Sequence, residues 1–573
     1  MRNASILASL CVVFLVGCGA AARPVAVAPA ASPPPSPFPS AAELDRVAAV
    51  PARPVSTRAM DVPTWDLAGP FPDAPTAAPA PYPGPWGALL DEAARGGRFT
   101  PTADMHCIAR EVGRFFLRHR ALPAETLRHH IEGWCATPAV GVDLQTFSGD
   151  VPAGVSDEEV LAQWAPGTRH MLAAIPADAA AIAGLWYGRE DGRAIVVVAR
   201  AIPLVRLDAT SLAPDADGVV VVRGALATPS SQVRVLVNRG RLAIAACSLD
   251  EQVALPRFEA RCAVDPADPT AWIELSALPP GRILGKAVLR LLARRAGAAP
   301  SFAMAEPFPA VDGAAQASGG AALADLVNRA RSAAGLPTLA IADDESALAT
   351  RLAPHFFGPL LDGDPAGQTD VIALGLMAGW QVPAPVADAG LYSSWTASSD
   401  ARYLIAAALD SPLGRSVLLD PDASHLAVGG VGDGGPSVLG GLFVTYQTVV
   451  EDATAATRAV LESIQAARAA AGLPPLHLLG GMDADAADVA AQLRTGAMTP
   501  DDALHRLLAQ VARRSPGVAP EGWLLSTPGL DKLELPDGAR TPGDNAAVVL
   551  AAPYRPAGEP WWRWAVVIVV VPR

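Results

Sequence analysis

The chain has 573 residues, of which 18% are charged, and its formal net charge is -13. That length allows several domains, each large enough to bury a hydrophobic core. The basic residues are almost all arginine and form no basic stripe, so the composition argues against nucleic-acid binding. We therefore expect a multidomain protein without a nucleic-acid partner.

The first eighteen residues have the pattern of an export signal. Arg2 supplies a positive start, and the apolar run over residues 6–16 is too short to span a bilayer. Residues 15–18, Leu-Val-Gly-Cys, resemble the bacterial lipobox, in which the cysteine is lipidated and becomes the first mature residue. The alternative is an ordinary secretory signal with a chance cysteine. We predict a signal over 1–18 and a lipid on Cys18, and, because Gly19 and not aspartate follows, a protein anchored to the outer membrane, facing either side.

The next segment, residues 19–85, is rich in alanine and proline. It contains the run Pro33-Pro34-Pro35 and seven further prolines between residues 70 and 85. Such a composition favours extended polyproline-like conformations over a packed core. We predict a disordered tether that holds the folded part away from a lipid surface.

Four cysteines lie beyond the signal and form two local pairs, Cys107 with Cys135 and Cys247 with Cys262. Of the three connectivities, the local one is favoured because each pair lies within one predicted domain, and an oxidising envelope lets both bonds persist. A zinc site is the alternative, but the sequence contains no CxxC spacing to support it. We predict two disulfides.

Two domains with different predicted secondary structure follow the tether. Residues 86–206 combine a helical pattern over 107–117 with a strand over 194–199, which predicts a mixed α/β domain. Residues 207–285 contain short valine-rich strands separated by Gly, Asn, Asp and Pro, which predicts a small β-sandwich. An Ala/Gly/Pro-rich linker is expected over 286–320.

The remainder of the chain contains an internal repeat. A helix over 323–334 should stop at Gly335, with Pro337 beyond it. Residues 326–339 align without gaps on residues 463–476, and each copy opens a segment that ends in hydrophobic strands. The long spacing predicts a duplicated domain, over 321–450 and 451–573, and not a solenoid.

The first of these copies resembles a known family. The helix with its Gly335-Leu336-Pro337 stop, an alanine-rich helix carrying His355, and residues 411–421 followed by 427–430 are similar in order and spacing to the motifs of the CAP superfamily (SCP-like domains). The resemblance covers roughly residues 320–450 and is fainter in the other two mixed regions. It implies an α+β, multidomain protein with α-β-α sandwich domains, in up to three degenerate copies, around the β-sandwich.

The resemblance also implies a cleft, but most of its reactive residues are missing. Family members that carry chemistry place two histidines and two acidic residues together, where a divalent cation can bind. Here only His355 matches: Gly414 stands at the second histidine position and Ala406 at one acidic position, and the other acidic position is at best Asp370. With Arg415, His355 and Asp370 are the candidate cleft residues. We predict no metal, no cofactor and no catalytic residue, because a lone imidazole does not supply a metal site.

Other motifs carry less information. Residues 430–435 satisfy GxGxxG, but a strand follows them, so a hairpin loop is expected instead of a nucleotide site. His106 and the pair His129-His130 are interpreted as exposed helix positions. The tryptophans at 561, 562 and 564 could line a glycan or lipid surface, but packing in the core is favoured.

The sequence thus predicts a lipid-anchored envelope protein that binds a lipid, glycan or protein partner without catalysis. Two alternatives remain open. One is a metal-dependent hydrolase that uses the cleft around His355, and the other is a purely architectural spacer.

Overall fold

The computed structural model describes residues 38–52, 59–77, 84–95, 97–175, 178, 180–282, 284–304, 320–362, 367–396, 401–432, 439–449, 452–530 and 533–572. The predicted signal with Cys18 lies outside the described residues. So does residue range 305–319 of the predicted linker.

The described helices are α1 (Ala41–Ala48), α2 (Pro85–Ala94), α3 (Ala103–His119), α4 (Glu125–Trp134), α5 (Asp157–Ala173), α6 (Gly320–Ala333), α7 (Asp343–Asp362), α8 (Gln368–Ala378), α9 (Ala401–Asp410), α10 (Pro412–Leu418), α11 (Ala453–Ala470), α12 (Asp483–Thr495) and α13 (Pro500–Arg514). A short 3₁₀ helix spans Asp537–Arg540. None of these helices is long and apolar enough to cross a membrane.

The described strands are β1 (Ala59–Met60), β2 (Thr64–Asp66), β3 (Thr100–Pro101), β4 (Leu122–Pro123), β5 (Asp143–Asp150), β6 (Ile182–Glu190), β7 (Arg193–Ala201), β8 (Val205–Leu207), β9 (Val219–Leu226), β10 (Gln232–Arg239), β11 (Ala243–Ala246), β12 (Ser248–Leu249), β13 (Arg257–Ala263), β14 (Thr270–Leu278), β15 (Lys286–Arg294), β16 (Ser301–Ala303), β17 (Ala340–Ile341), β18 (Val386–Thr396), β19 (His425–Val431), β20 (Leu439–Thr448), β21 (His477–Leu478), β22 (Glu521–Thr527), β23 (Asn545–Tyr554) and β24 (Arg563–Pro572).

Three parts of the chain build the same four-stranded sheet. We call them the first unit (85–201), the middle unit (320–449) and the last unit (452–572). Their sheets have the orders β3-β6-β7-β5, β17-β19-β20-β18 and β21-β23-β24-β22. In each, a short first strand runs parallel to the third, and the third and fourth strands pair antiparallel at the centre. The second strand forms the other edge, so the three units share one topology.

Helices cover both faces of the middle sheet. Leu426 and Val428 of β19 pack with α6 and α9, whereas Ala427 between them packs with α7 and α8. The first unit likewise has two cores, one on each side of β7. Because both faces are buried, the central strands are continuous apolar runs, as in β24. This three-layer arrangement confirms the predicted α+β class with α-β-α sandwiches.

The duplication of the middle and last units extends to a buried arginine. Arg331 of α6 and Arg468 of α11 occupy the same place in the aligned repeat, and both are fully buried. The Nε atom of each donates to the carbonyl of the proline that follows its helix, Pro337 or Pro474, at 2.8 Å. Their Nη atoms donate to further backbone carbonyls of the same unit, those of Leu418, Asp420, Ala539, Thr541 and Gly543. The arginine therefore ties the repeat helix to the distant part of its own unit.

The β-sandwich between the first and middle units is larger than predicted. Its two sheets have the orders β12-β13-β9-β8 and β11-β10-β14-β15, around one core. The last strand, β15, occupies residues 286–294 of the predicted linker. The predicted boundary of the sandwich at residue 285 is therefore wrong. Pro279, Pro280 and Gly281, which resemble the end of a domain, lie in the turn that joins β14 to β15.

Both predicted disulfides are confirmed. Cys107 of α3 is bonded to Cys135, which directly follows α4, so the bond joins two helices of the first unit. Cys247 lies between β11 and β12, where the chain passes from one sheet of the sandwich to the other, and is bonded to Cys262 of β13.

Part of the predicted disordered tether is folded. Helix α1 begins with a capping box at Ser40 and buries Leu44 completely against α7 and α8. Strand β1 pairs with β4 of the first unit, and β2, which carries the buried Trp65, pairs with β16. A few large apolar side chains decide this outcome, because they find cores in which to be buried although the average composition resembles a linker.

Candidate functional site

A polar cavity of about 360 Å³ lies where the first unit, the β-sandwich and the middle unit meet. Its polar and aromatic lining consists of Thr126, His129, His130, Asn238, Asp268, Thr270, Trp272, Arg290, Ser301, Phe302, Tyr392, Asp410, Ser411 and Arg415. Each unit supplies part of the wall, so the cavity exists only in the assembled chain. Its size falls in the range of small-ligand pockets, about 300 to 1,000 Å³.

Regular elements hold most of these side chains in place. Thr126, His129 and His130 lie on α4 at a spacing of three and four residues, which places them on one face of the helix. On the sandwich, Asn238, Trp272 and Arg290 come from the neighbouring strands β10, β14 and β15. The middle unit contributes the residues where α9 ends and α10 begins.

A buried ion pair forms the base of the site. Glu274 and Arg290 are direct cross-strand partners, and the Arg290 guanidinium donates to the Glu274 carboxylate. The other oxygen of Glu274 accepts from Ser411 Oγ at 2.6 Å and from the Leu413 backbone N–H at 2.9 Å. A carboxylate without solvent exposure needs such partners. Glu274 therefore links the sandwich to the start of α10.

Burial shifts the titration of the groups around the cavity. Desolvation raises the pKa of Glu125 to about 7 and that of Asp410 to about 6. Desolvation also holds the pKa of His129 well below its usual value and lowers that of His130 to about 4. His129 Nε2 lies 3.5 Å from Glu125 Oε1. Both imidazoles are consequently neutral at pH 7.

Two polar atoms of the wall lack a partner among the residues that the structure describes: Nε2 of His130 and Oδ1 of Asn238. The amide of Asn238 is oriented by its Nδ2, which donates to the Asp410 carbonyl at 2.6 Å. The His130 ring donates to the Ser301 backbone, and a neutral imidazole carries only one proton, so Nε2 is left as an acceptor. Buried polar atoms are normally satisfied, and these two therefore point to a missing ligand.

The predicted cleft residues do not all belong to this cavity. His355 of α7 is buried, which lowers its pKa, and it is not among the residues that line the cavity. Asp370, in the first turn of α8, is paired with Arg282 at 2.7 Å and with Lys286 at 2.9 Å. Only Arg415 lines the cavity.

Arg415 and Asp370 both join the middle unit to the sandwich. Arg415 donates to the carbonyls of Gly240 and Ala243 at 3.0 and 2.8 Å, and to that of Leu409. Asp370 pairs with side chains from the β14–β15 turn and the start of β15. Arg415 and Asp370 therefore each contact the sandwich, and they do not form a common cleft with each other.

The histidines of α4 were predicted wrongly. His129 and His130 are not exposed helix positions; they are partly buried and line the cavity. His106 is also partly buried, and its Nδ1 lies 2.7 Å from the Leu185 carbonyl. The presence of Glu125 and Glu132 on the same short helix was the one local signal that could have drawn attention to α4.

Of the three tryptophans near the end of the chain, only Trp564 is buried in the core as predicted, whereas Trp561 and Trp562 are partly buried. Trp564 belongs to the core of the last unit. Trp561 donates from Nε1 to the Met377 carbonyl at 2.9 Å, and its ring lies 4.9 Å from that of Phe38. It thus joins the last unit to the middle unit.

Two other concave surfaces have fewer buried charged groups. A hollow of about 480 Å³ lies beside Arg239, Arg241 and Asp265, and one of about 290 Å³ lies beside Trp380 and Trp562. Neither holds a comparable cluster of buried charged groups. Within the described ranges, no group of three or more His, Cys, Asp or Glu side chains is arranged to hold a metal ion.

Comparison with known proteins gives little further information. The chain matches no protein-family model and no curated protein sequence. One solved structure that it resembles is a cysteine-rich secretory protein from Staphylococcus aureus, at 11% identity and a TM-score of 0.18, over 42% of this chain and 88% of that one. A score this low carries no functional argument, so the family remains a proposal, and the shared topology of the three units is the firmer finding.

Proposed function

We propose that this chain is a lipid-anchored cell-envelope protein with three CAP-like units, and that it binds a small glycan ligand without converting it. The observation that carries the binding role is the cavity at the junction of the first unit, the sandwich and the middle unit. The signal and lipobox pattern at 1–18 supports the anchor, and the two disulfides fit an oxidising compartment.

The cavity wall favours a glycan over a lipid. Carboxyl, guanidinium, imidazole and amide groups converge on it, and an acyl chain would bury them without hydrogen bonds at a large free-energy cost. The aromatic rings of Trp272, Phe302 and Tyr392 give flat apolar surfaces beside those polar groups. That combination suits a sugar, which has an apolar ring face and a polar edge.

The polar groups that resemble catalytic ones are held in structural bonds. Ser411 Oγ donates to Glu274 and accepts from the Gly414 backbone N–H at 3.1 Å, as the N-cap of α10. A nucleophilic serine needs a neighbouring base that is free to take its proton. Glu274 is already paired with Arg290 and with a backbone amide. This arrangement supports binding without catalysis.

Titration calorimetry with a panel of monosaccharides and disaccharides tests the binding role. We expect at least one sugar to bind the purified full chain, and Trp272→Ala to weaken that binding at least about tenfold, since truncating an aromatic anchor costs about 2 kcal/mol or more and about 1.4 kcal/mol corresponds to a factor of ten. Arg239→Ala, in the neighbouring hollow, is the control and should bind normally. Equal affinity in Trp272→Ala and the unmodified protein would place the site elsewhere.

Two further measurements test the remaining parts of the proposal. Metabolic labelling with palmitate should mark the unmodified protein but not Cys18→Ser, and labelling of both would refute the anchor. Metal analysis should find no stoichiometric zinc; zinc that disappears in His355→Ala would favour a hydrolase instead.

A further inference from the structure

The hydrogen-bonding capacity of the cavity wall is unbalanced. Part of its donor capacity is already used: Arg290 Nε and Ser411 Oγ donate to Glu274, and Arg415 Nε and Nη1 donate to backbone carbonyls. Thr126 Oγ1 donates to Asp61 at 3.2 Å. The atoms that lack partners in the described structure, Nε2 of His130 and Oδ1 of Asn238, are both acceptors. A complementary ligand must therefore supply donors.

The charges near the cavity are unbalanced in the same sense. Asp268 and Asp410 line it, Glu274 lies at its base, and Glu125 contacts the lining residue His129. Two guanidinium groups line the cavity, those of Arg290 and of Arg415, whose charge acts on Asp410. The charge of Arg128 acts on Glu125 from the same helix. Arg290 is paired with Glu274, so its charge is neutralised locally. A cation at the Asp410 side of the cavity would reduce the remaining acidic excess.

We infer that the cavity selects a sugar that carries a free primary ammonium group, in preference to a neutral or N-acylated sugar. This inference rests on the proposed glycan-binding function and names the class of glycan. An ammonium group brings three N–H donors and a positive charge, which match the free acceptors and the carboxyl groups of the wall. An N-acyl group removes the positive charge and two of the three N–H donors, so it matches the carboxyl groups and the Asn238 acceptor less well.

The neighbouring aromatic side chain is consistent with this assignment. Trp272 lies on β14 two residues before Glu274 and lines the same cavity as Asn238 and Asp410. The face of an indole attracts a cation as well as the C–H face of a sugar ring. One small ligand of about 360 Å³ or less can thus meet an aromatic face and the acceptors together.

Calorimetry on the full chain at pH 7.0 with glucosamine, glucose and N-acetylglucosamine tests the inference. We expect glucosamine to bind at least about tenfold more tightly than either of the other sugars. If glucose or N-acetylglucosamine binds as tightly as glucosamine, the inference is wrong while the proposed glycan-binding function stands. If no sugar in the wider panel binds, both are wrong.

Variants test the location of the ammonium site. Asn238→Leu and Asp410→Asn should each reduce glucosamine affinity at least about tenfold, and Asp410→Asn should leave the weak binding of glucose nearly unchanged. Circular dichroism confirms folding, and Arg239→Ala is again the control. Glucosamine preference that survives in both folded variants would refute the assignment, and the comparison of sugars on the unmodified protein remains decisive if a variant fails to fold.

Discussion

The middle and last units are two copies of one scaffold, and they differ where the middle unit contributes to the cavity. Both have the same sheet order and the same buried arginine in the first helix. Between its second and third strands, however, the middle unit has α9 and α10, whereas the last unit has the 3₁₀ helix Asp537–Arg540 in the described part of that segment. Helix α10 carries Ser411 at its N-cap and Arg415, both of which bind the sandwich side of the site.

The buried arginine maintains the fold in both units, whereas the connection between the second and third strands forms part of the site in the middle unit only. The arginine contacts backbone carbonyls, which every sequence provides, so the scaffold tolerates divergence elsewhere. The connection between the second and third strands is free to change because it lies outside the central strand pairing. Three predictions test this comparison, and the largest effect comes first.

Replacing the buried arginines tests whether the two copies depend on the same interaction. Arg331→Met and Arg468→Met should each lower the free energy of unfolding by about 3 kcal/mol or more, because at least three buried or partly buried carbonyls lose their donor at about 1 kcal/mol or more each. Urea unfolding followed by tryptophan fluorescence measures the loss. Arg329→Met, which removes a partly exposed ion pair with Asp325, should change stability by less than about 0.5 kcal/mol. A large loss of stability in only one of the two variants would show that the two arginines do not have the same role.

Helix α1 distinguishes the middle unit from the other two. Leu44 is completely buried, and an added methyl group on Gly375 of α8 would collide with it. Leu44→Ala should therefore weaken the docking of α1 by about 2 to 4 kcal/mol. Limited proteolysis should release the N-terminal segment faster from this variant than from Arg46→Ala, whose side chain is 76% exposed. Equal cleavage rates would show that α1 contributes little to holding the segment.

Buried carboxyl groups should make stability depend on pH. Burial raises the pKa of Glu345 in the middle unit, and that of Glu125 beside the cavity, to about 7. The folded state thus holds these protons more tightly than the unfolded state, and the stabilisation is lost as the pH rises through about 7. We expect the free energy of unfolding to be larger at pH 6.5 than at pH 8.0 by about 1 kcal/mol for each group.

Glu345→Gln should lower the stability difference between pH 6.5 and pH 8.0 by about 1 kcal/mol in urea titrations at the two pH values. Tyr446→Phe is the matched control, because it removes a buried hydroxyl from the same core while leaving the carboxyl group in place. His129 and His130, with lowered pKa values, act in the opposite direction as the pH rises through their unfolded value near 6.5, so the contribution of Glu345 is the difference between the variant and the unmodified protein. If the free energy of unfolding of Glu345→Gln changes with pH as much as that of the unmodified protein, Glu345 is not the source of the pH dependence.

Local patterns in the sequence predicted local structure well. The helix stop at Gly335 is confirmed, since this residue has a φ of 75° and directly follows α6 and Ala334. The pairing of Cys107 with Cys135 followed from their positions in one predicted domain. The predicted end of the sandwich, residue 285, falls in the β14–β15 turn, and only the pairing of these strands shows that the sandwich continues beyond it.

The cavity could not be predicted in this way. Its wall combines His130 of α4, Asn238 of β10 and Asp410 of α9, which lie far apart in the sequence and in three different units. Each has an ordinary local context, and its role depends on how the units pack. The predicted cleft was derived from one domain alone, and it therefore included Arg415 but missed the other residues of the cavity.

The repeat, the disulfide pairing, and those helices and strands with a clear hydrophobic pattern could be predicted from the sequence, because hydrophobic periodicity, turn residues and cysteine spacing act over short distances. It also contains the signal and lipobox pattern from which we infer the envelope location. Three features are visible only in the folded structure: α1 docks on the middle unit, Glu274 pairs with Arg290 and Ser411, and His130 and Asn238 line a shared cavity. Burial creates these properties, and burial depends on which distant surfaces meet.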